Sequence, residues 1–129
     1  MLKVDPAGAL YVTTTTPGSV IDTVDSKLIV KATPLTIVTF TPSAASTEIY
    51  GFSASGSGKM KVECWYGVTA SEGVKYTFFT STANPNVDFN WGKQLILGVT
   101  QTIYIKCENL ETAASPASDF TAHATIRHS

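Results

Sequence analysis

The sequence predicts an all-β protein, an antiparallel two-sheet sandwich of immunoglobulin-like or jelly-roll type with an extended N-terminal arm. Three observations predict it. Apolar and polar residues alternate with period two in almost every segment after residue 34, as in "TIYIKCEN" and "FTAHATIRH", the pattern of half-buried strands. No segment carries an apolar stripe at helical spacing, and charged residues make up only 15% of a chain rich in threonine and serine, a composition that favours sheet. Pro, Gly and Asn-Pro signals cut the alternation into roughly six to eight short strands, the spacing of a sandwich. At 129 residues the chain fits one domain able to bury a single core. The expected division is an arm over residues 1–33 and a sandwich over 34–129.

The arm, "DPAGALYVTTTTPGSVIDTVDSKLIV", consists of short extended pieces broken by Pro6, Gly8, Pro17 and Gly18. Its threonines and β-branched residues favour extended chain, and it is too short to bury much of itself. It reads as either a loose tail or an arm ordered against another subunit by adding a strand to a sheet edge; its few charges and β-branched residues favour the arm, with Tyr11, Val12, Thr13, Thr14 and Thr15 as candidate partner contacts.

"PLTIVTFTP", bounded by Pro34 and Pro42, reads as the first sandwich strand. "EIYGFSA" and "KMKVECWY" then flank a Gly/Ser turn at Ser55–Gly58, which suggests a hairpin. The "GSGK" in that turn resembles a phosphate-binding loop only superficially. Met60 stands where the magnesium-binding Ser or Thr belongs, Ser53 replaces the first glycine, and Lys59 opens a strand rather than a helix. "GVKYTFFTS" alternates Val74, Tyr76 and Phe78 with Lys75, Thr77 and Phe79, and "ANPNVDFNWGK" is a loop entering a short strand near Val87–Trp91. "QTIYIKCENL" puts Ile103, Ile105 and Cys107 on one face and Tyr104, Lys106 and Glu108 on the other. "SDFTAHATIRHS" sets Phe120, Ala122, Ala124 and Ile126 against Thr121, His123, Thr125 and Arg127. The two alanines mark a central strand closely approached by the opposite sheet.

Composition and motifs exclude several functions. Nine Lys and Arg, scattered, against ten Asp and Glu give a net charge of −1, so nucleic acid and anionic membranes are not expected partners. No run of eighteen apolar residues exists, and the N-terminus lacks a secretory pattern, so synthesis in a cytoplasm is expected. Cys64 and Cys107 fall on apolar phases and read as small buried hydrophobes. A disulfide between them requires their strands to face each other across the core. The immunoglobulin pattern is not matched, since Trp65 sits beside the first cysteine.

No catalytic constellation, metal set or cofactor motif stands out. His123 and His128, read as lying on one exposed face, lack companion ligands. Asp22 and Asp25 lack the dense oxygen ligands of a calcium loop. Glu63 and Glu108 are the only carboxylate pair on outward phases, expected to be solvated charges beside Lys61 and Lys106. The chain is thus expected to be no enzyme and to need no cofactor. Trp65 and Tyr104 on outward phases and Trp91 in "FNWGK" are candidate partner contacts, because aromatic rings offer a large rigid contact area.

The order "EIYGFSASGSGKMKVEC", "GVKYTFFTSTANPNVDFNW" and "IYIKCENLETAASPASDFTAHATI" resembles small β-sandwich virion structural proteins of tailed bacteriophages, over roughly residues 48–127 and by pattern rather than by an invariant motif. The resemblance implies a component of the virion that binds other virion proteins and is itself repeated as a homo-oligomer. Its place would be a head decoration or cement, or a collar, baseplate or fibre attachment of the tail. No family active-site residue carries over. The competing expectation is a carbohydrate- or receptor-binding module using Trp65 or Trp91.

Overall fold

The computed structural model describes residues 20–68 and 73–129. They form eight strands: β1 (Ile21–Ile29), β2 (Leu35–Phe40), β3 (Thr47–Gly56), β4 (Met60–Gly67), β5 (Val74–Phe79), β6 (Asn86–Leu97), β7 (Thr102–Asn109) and β8 (Phe120–His128). A first sheet has the order β1-β8-β3-β6 and a second the order β2-β7-β4-β5. All strand pairings among the described residues are antiparallel, and β1 pairs with β8, β2 with β7, β3 with β6 and β4 with β5. The chain is therefore one long hairpin, with its tip between β4 and β5, rolled into two layers. That is the jelly roll of the two topologies the sequence left open.

The alternating residues fall where their period predicts. The inward phases supply Met60, Val62 and Cys64 from β4, Ile103, Ile105 and Cys107 from β7, and Phe52 from β3, all fully buried. The strand β8 lies between β1 and β3 in its sheet, and Ala122 and Ala124 are buried on its core face. Their small side chains let the second sheet approach closely.

The Ser55–Gly58 turn does not close a hairpin. The strands on either side of it, β3 and β4, belong to opposite sheets, so the turn is an arch over the end of the sandwich. Its composition follows from Phe120, the first residue of β8. A Cβ on Gly56 would lie 2.7 Å from the Phe120 ring, and one on Gly58 would lie 2.5 Å from it. The two glycines sit against the phenyl ring. The arch is fixed by Lys59 N–H donating to Glu111 Oε2 (2.5 Å) and Met60 N–H donating to Thr80 Oγ1 (3.1 Å).

Three other expectations change, and the reading of the cysteines as small buried hydrophobes holds. The segment 21–29, assigned to the arm, is an edge strand of the first sheet, in continuous register from Ile21↔His128 to Ile29↔Phe120. The rest of the expected arm, residues 1–19, lies outside the described residues. The strand expected near Val87–Trp91 runs on to Leu97, because residues 91–94 bulge out between the Asn90↔Gly51 and Leu95↔Ile49 pairs. Gly92 takes φ +68° in that bulge, and its N–H is held by Asn90 Oδ1 at 2.5 Å. His123 and His128 face opposite ways, as their odd spacing requires: His123 is exposed, while His128 is buried and stacked on Phe40 at 3.7 Å. Cys64 and Cys107 are free and lie in the same sheet, diagonal to each other across β4 and β7, with Cys64 opposite Ile105 and Cys107 opposite Val62. Diagonal neighbours stand about 7–8 Å apart, beyond disulfide reach.

Candidate functional site

The outward face of the second sheet brings two of the candidate residues together. Trp65 on β4 and Tyr104 on β7 are direct cross-strand partners. Their rings are parallel to within 12°, with centroids 5.8 Å apart. The Lys106 ammonium lies 5.2 Å from the Trp65 ring centroid, and the indole N–H donates to Glu63 Oε1 at 3.2 Å. Burial and then the negative charge of Glu63 push the Tyr104 phenol above its ordinary value. A cleft of about 200 Å³ opens beside the pair, lined by Trp65, Tyr66, Gly67, Thr102 and Tyr104 among others.

Next to the aromatic pair lies a charge ladder. Lys61 reaches Glu108 at 3.2 Å and Glu63 at 3.5 Å. The hydrogen bond to Glu108, followed by the fields of both carboxylates, raises the Lys61 ammonium above its ordinary value. One ammonium bridging two carboxylates across two strands is a cross-strand tie rather than an acid–base pair, weakened by solvent screening. The expected partner of Glu108, Lys106, instead covers Trp65.

Trp91 is not on this face. Its ring lies among Phe52, Tyr66, Tyr76 and Phe89, with centroid distances of 5.1 to 6.0 Å. Its indole N–H donates to the Tyr76 hydroxyl at 3.3 Å. Trp91 thus closes one end of the core. Tyr11, Val12, Thr13, Thr14 and Thr15 lie outside the described residues.

A second surface was not anticipated from the sequence. The strand β1 has no strand on its other side among the described residues. Val20, Ile21, Val24 and Leu28 along it are 56%, 53%, 60% and 58% exposed. Between Val24 and Leu28 its phase is reversed relative to an ordinary half-buried strand, whereas Ile29 at its end is buried on the core side. Register with β8 places Asp25 and Lys27 on the core-side phase, opposite Ala124 and Ala122, and Val24 and Leu28 on the outer phase, opposite Thr125 and Thr121. The signal was present in "VDSKL", where Asp25 and Lys27 stand on one phase and Val24 and Leu28 on the other.

Comparison with known proteins adds no identity: no family model matches the chain, and no curated protein or solved structure matches it.

Proposed function

We propose that the chain is a non-enzymatic structural subunit of a bacteriophage particle that binds neighbouring virion subunits. It would act as a head decoration or cement protein, or as a collar, baseplate or fibre-attachment part of the tail. The observation that carries this reading is the β1 edge, unpaired among the described residues, with its exposed aliphatic strip. A sheet edge that shows both free backbone groups and apolar side chains is a liability in an isolated protein, and an assembly resolves it by pairing it with a neighbour. The eight-strand jelly roll supports the same reading, since that architecture is common in capsid domains. The virion resemblance of residues 48–127 supports it by pattern.

Quantitative peptide mass spectrometry of gradient-purified particles tests the proposal. A high copy number relative to the major capsid protein identifies decoration or cement, and a small fixed number identifies tail or neck. Absence from particles sinks the structural reading.

The Trp65–Tyr104 pair and its cleft favour a second reading, a carbohydrate- or receptor-binding module. Parallel aromatic rings with a carboxylate and an ammonium at hand suit a sugar ring, which offers an apolar face and a rim of hydroxyls. Trp65→Ala and Tyr104→Ala would then each remove glycan binding while the fold persists. Silence of the wild-type chain on a glycan array at high concentration counts decisively against this reading.

A further inference from the structure

We infer that two copies of this chain pair through their β1 strands, antiparallel about a twofold axis at Ser26, joining their first sheets into one continuous sheet. The inference deepens the assembly reading by naming a second copy as the occupant of the β1 edge. Its test is read on the isolated chain in solution, whereas assembly is read in particles, so either can fail without the other.

The argument rests on self-complementarity. A twofold axis normal to the sheet keeps outer faces on the same side, so only registers centred on a residue of the strand are allowed. Within β1 the charges discriminate among them. An axis at Asp25 sets Asp25 against the partner's Asp25, and an axis at Lys27 sets two ammonium groups against each other; like charges directly opposite are destabilising. An axis at Val24 leaves neither charge facing its opposite, and one at Leu28 sets Asp25 only against the partner's Lys31, beyond the end of β1 and already donating to the Thr112 carbonyl at 2.7 Å within its own chain. The axis at Ser26 places Asp25 against the partner's Lys27, twice by symmetry, and on the outer face it places Val24 against the partner's Leu28, also twice. One register therefore satisfies both the charges and the aliphatics.

Charges on the core-side phase of an edge strand commonly prevent edge pairing. Here they sit two residues apart with opposite sign, so they block the flanking registers and permit one. Register in a strand is otherwise weakly specified where neither face is deeply buried, which describes β1 from Asp22 to Leu28. Pairing must exchange existing contacts of both charged groups: Asp25 Oδ1 accepts from the Ser26 N–H at 2.7 Å, while its Oδ2 is left with Lys27 alone. The Asp25–Lys27 ion pair within the chain is long, at 3.8 Å, with side chains 54% and 43% exposed, and Lys27 otherwise donates to the carbonyls of Thr36 and Ile37 at 3.2 and 3.4 Å. The nine residues of β1 run in unbroken register along β8, so the free edge is straight enough to template a second strand.

The test is sedimentation equilibrium of the full chain at about 10 to 200 µM, a range in which a mass-action dimer shows itself by concentration dependence. It is combined with a Ser26→Cys variant treated with a short bis-maleimide. The native thiols are buried and do not compete. The expected result is a dimer that Ser26→Cys captures covalently and that Val24→Lys weakens at least tenfold. Asp25→Lys weakens it similarly, and adding Lys27→Asp to that variant restores it. Far-UV circular dichroism on each variant separates loss of pairing from loss of fold. A chain monomeric throughout the range overturns the inference. So does a dimer that Ser26→Cys fails to capture. A dimer that disappears on deletion of residues 1–19 and never cross-links at Ser26 assigns the edge to the N-terminal segment instead, and equally overturns it.

Discussion

Trp91 packs against four aromatic rings at the end of the core, whereas Trp65 stands on the outer face between Tyr104 and Lys106. Their truncations should therefore separate. Trp91→Ala removes a half-buried ring from its contacts with Phe52, Tyr66, Tyr76 and Phe89 and is expected to cost about 3 kcal/mol, the lower end of the range for aromatic truncation. Trp65→Ala loses mainly a stacking pair, about 0.5–1.5 kcal/mol beyond its modest area. Urea denaturation of the two variants checks this, and equal losses would contradict the packing described. A Trp91 variant cannot serve as a clean probe of ligand binding, since it disturbs the fold first. The cysteines give a pH prediction. Burial pushes both the Cys64 and the Cys107 thiol up to about 12, from an ordinary value of 9.0. Below the ordinary value both states are protonated and the thiols have no effect on the pH dependence. Above it the unfolded chain releases protons that the folded chain retains, so stability falls as pH rises toward 12, by about 1.4 kcal/mol per pH unit for each thiol. Urea midpoints at pH 8 and pH 10 should show the loss, and Cys64→Ala with Cys107→Ala should flatten it. Below pH 9 neither thiol should react with alkylating reagents until denaturant is added.

At the scale of the element, the arch between β3 and β4 shows how a local signal and a tertiary demand coincide. The Gly/Ser run reads as a turn on composition alone, and the chain does turn at its second half, residues 57–59, while Ser55 and Gly56 end β3. What composition omits is the ring of Phe120, more than sixty residues further along the chain, against which Gly56 and Gly58 pack. Gly58→Ala would place its methyl 2.5 Å from the ring and 3.0 Å from Glu111 Oε2, which also holds the arch through Lys59 N–H. Overpacking of that kind costs about 1–3 kcal/mol. Differential scanning calorimetry should show a lowered midpoint for Gly58→Ala, partly restored by Phe120→Leu, and a neutral Gly58→Ala would mean the ring moves freely. The neighbouring strand end is tied by Asn109, a buried amide whose Nδ2 donates to the carbonyls of Ile29 (3.1 Å) and Ser118 (2.8 Å). Its Oδ1 accepts from Glu111 N–H at 2.8 Å. That side chain joins β1, β7 and the loop before β8. Nothing in "KCENLE" marks it as buried except that it continues the inward phase of Ile103, Ile105 and Cys107.

At the scale of the molecule, the rolled hairpin pairs the two ends of the described chain, Ile21 with His128, while the tip pairs β4 with β5. Such nonlocal closure places folding in the slow range for its size, about milliseconds to seconds. Stopped-flow refolding monitored by tryptophan fluorescence tests that figure, since Trp91 meets Tyr66 and Tyr76 of the second sheet only when both sheets close; microsecond refolding would refute it. The strand faces were legible in the sequence because period-two alternation is a local property of half-buried strands. The alternation identified the core residues of β4, β7 and β8, the buried cysteines, and the outward positions of Trp65 and Tyr104. It misassigned the histidines only because an odd spacing was read as an even one. Strand partnership was not legible. Whether β3 pairs with β4 or with β6 and β8 depends on which edges meet after the long hairpin rolls up, and the same turn residues serve a hairpin and an arch equally well. The place of Trp91 at the end of the core and the β1 edge, unpaired among the described residues, depend on the same long-range closure. The sequence by itself determined the all-β class, the turns and the inward faces, through local backbone preference and side-chain phase. The tertiary structure alone decided the jelly-roll order, the membership of residues 21–29 in the first sheet, and the surfaces left available to a partner, because pairing between distant strands is selected by the burial of the whole core.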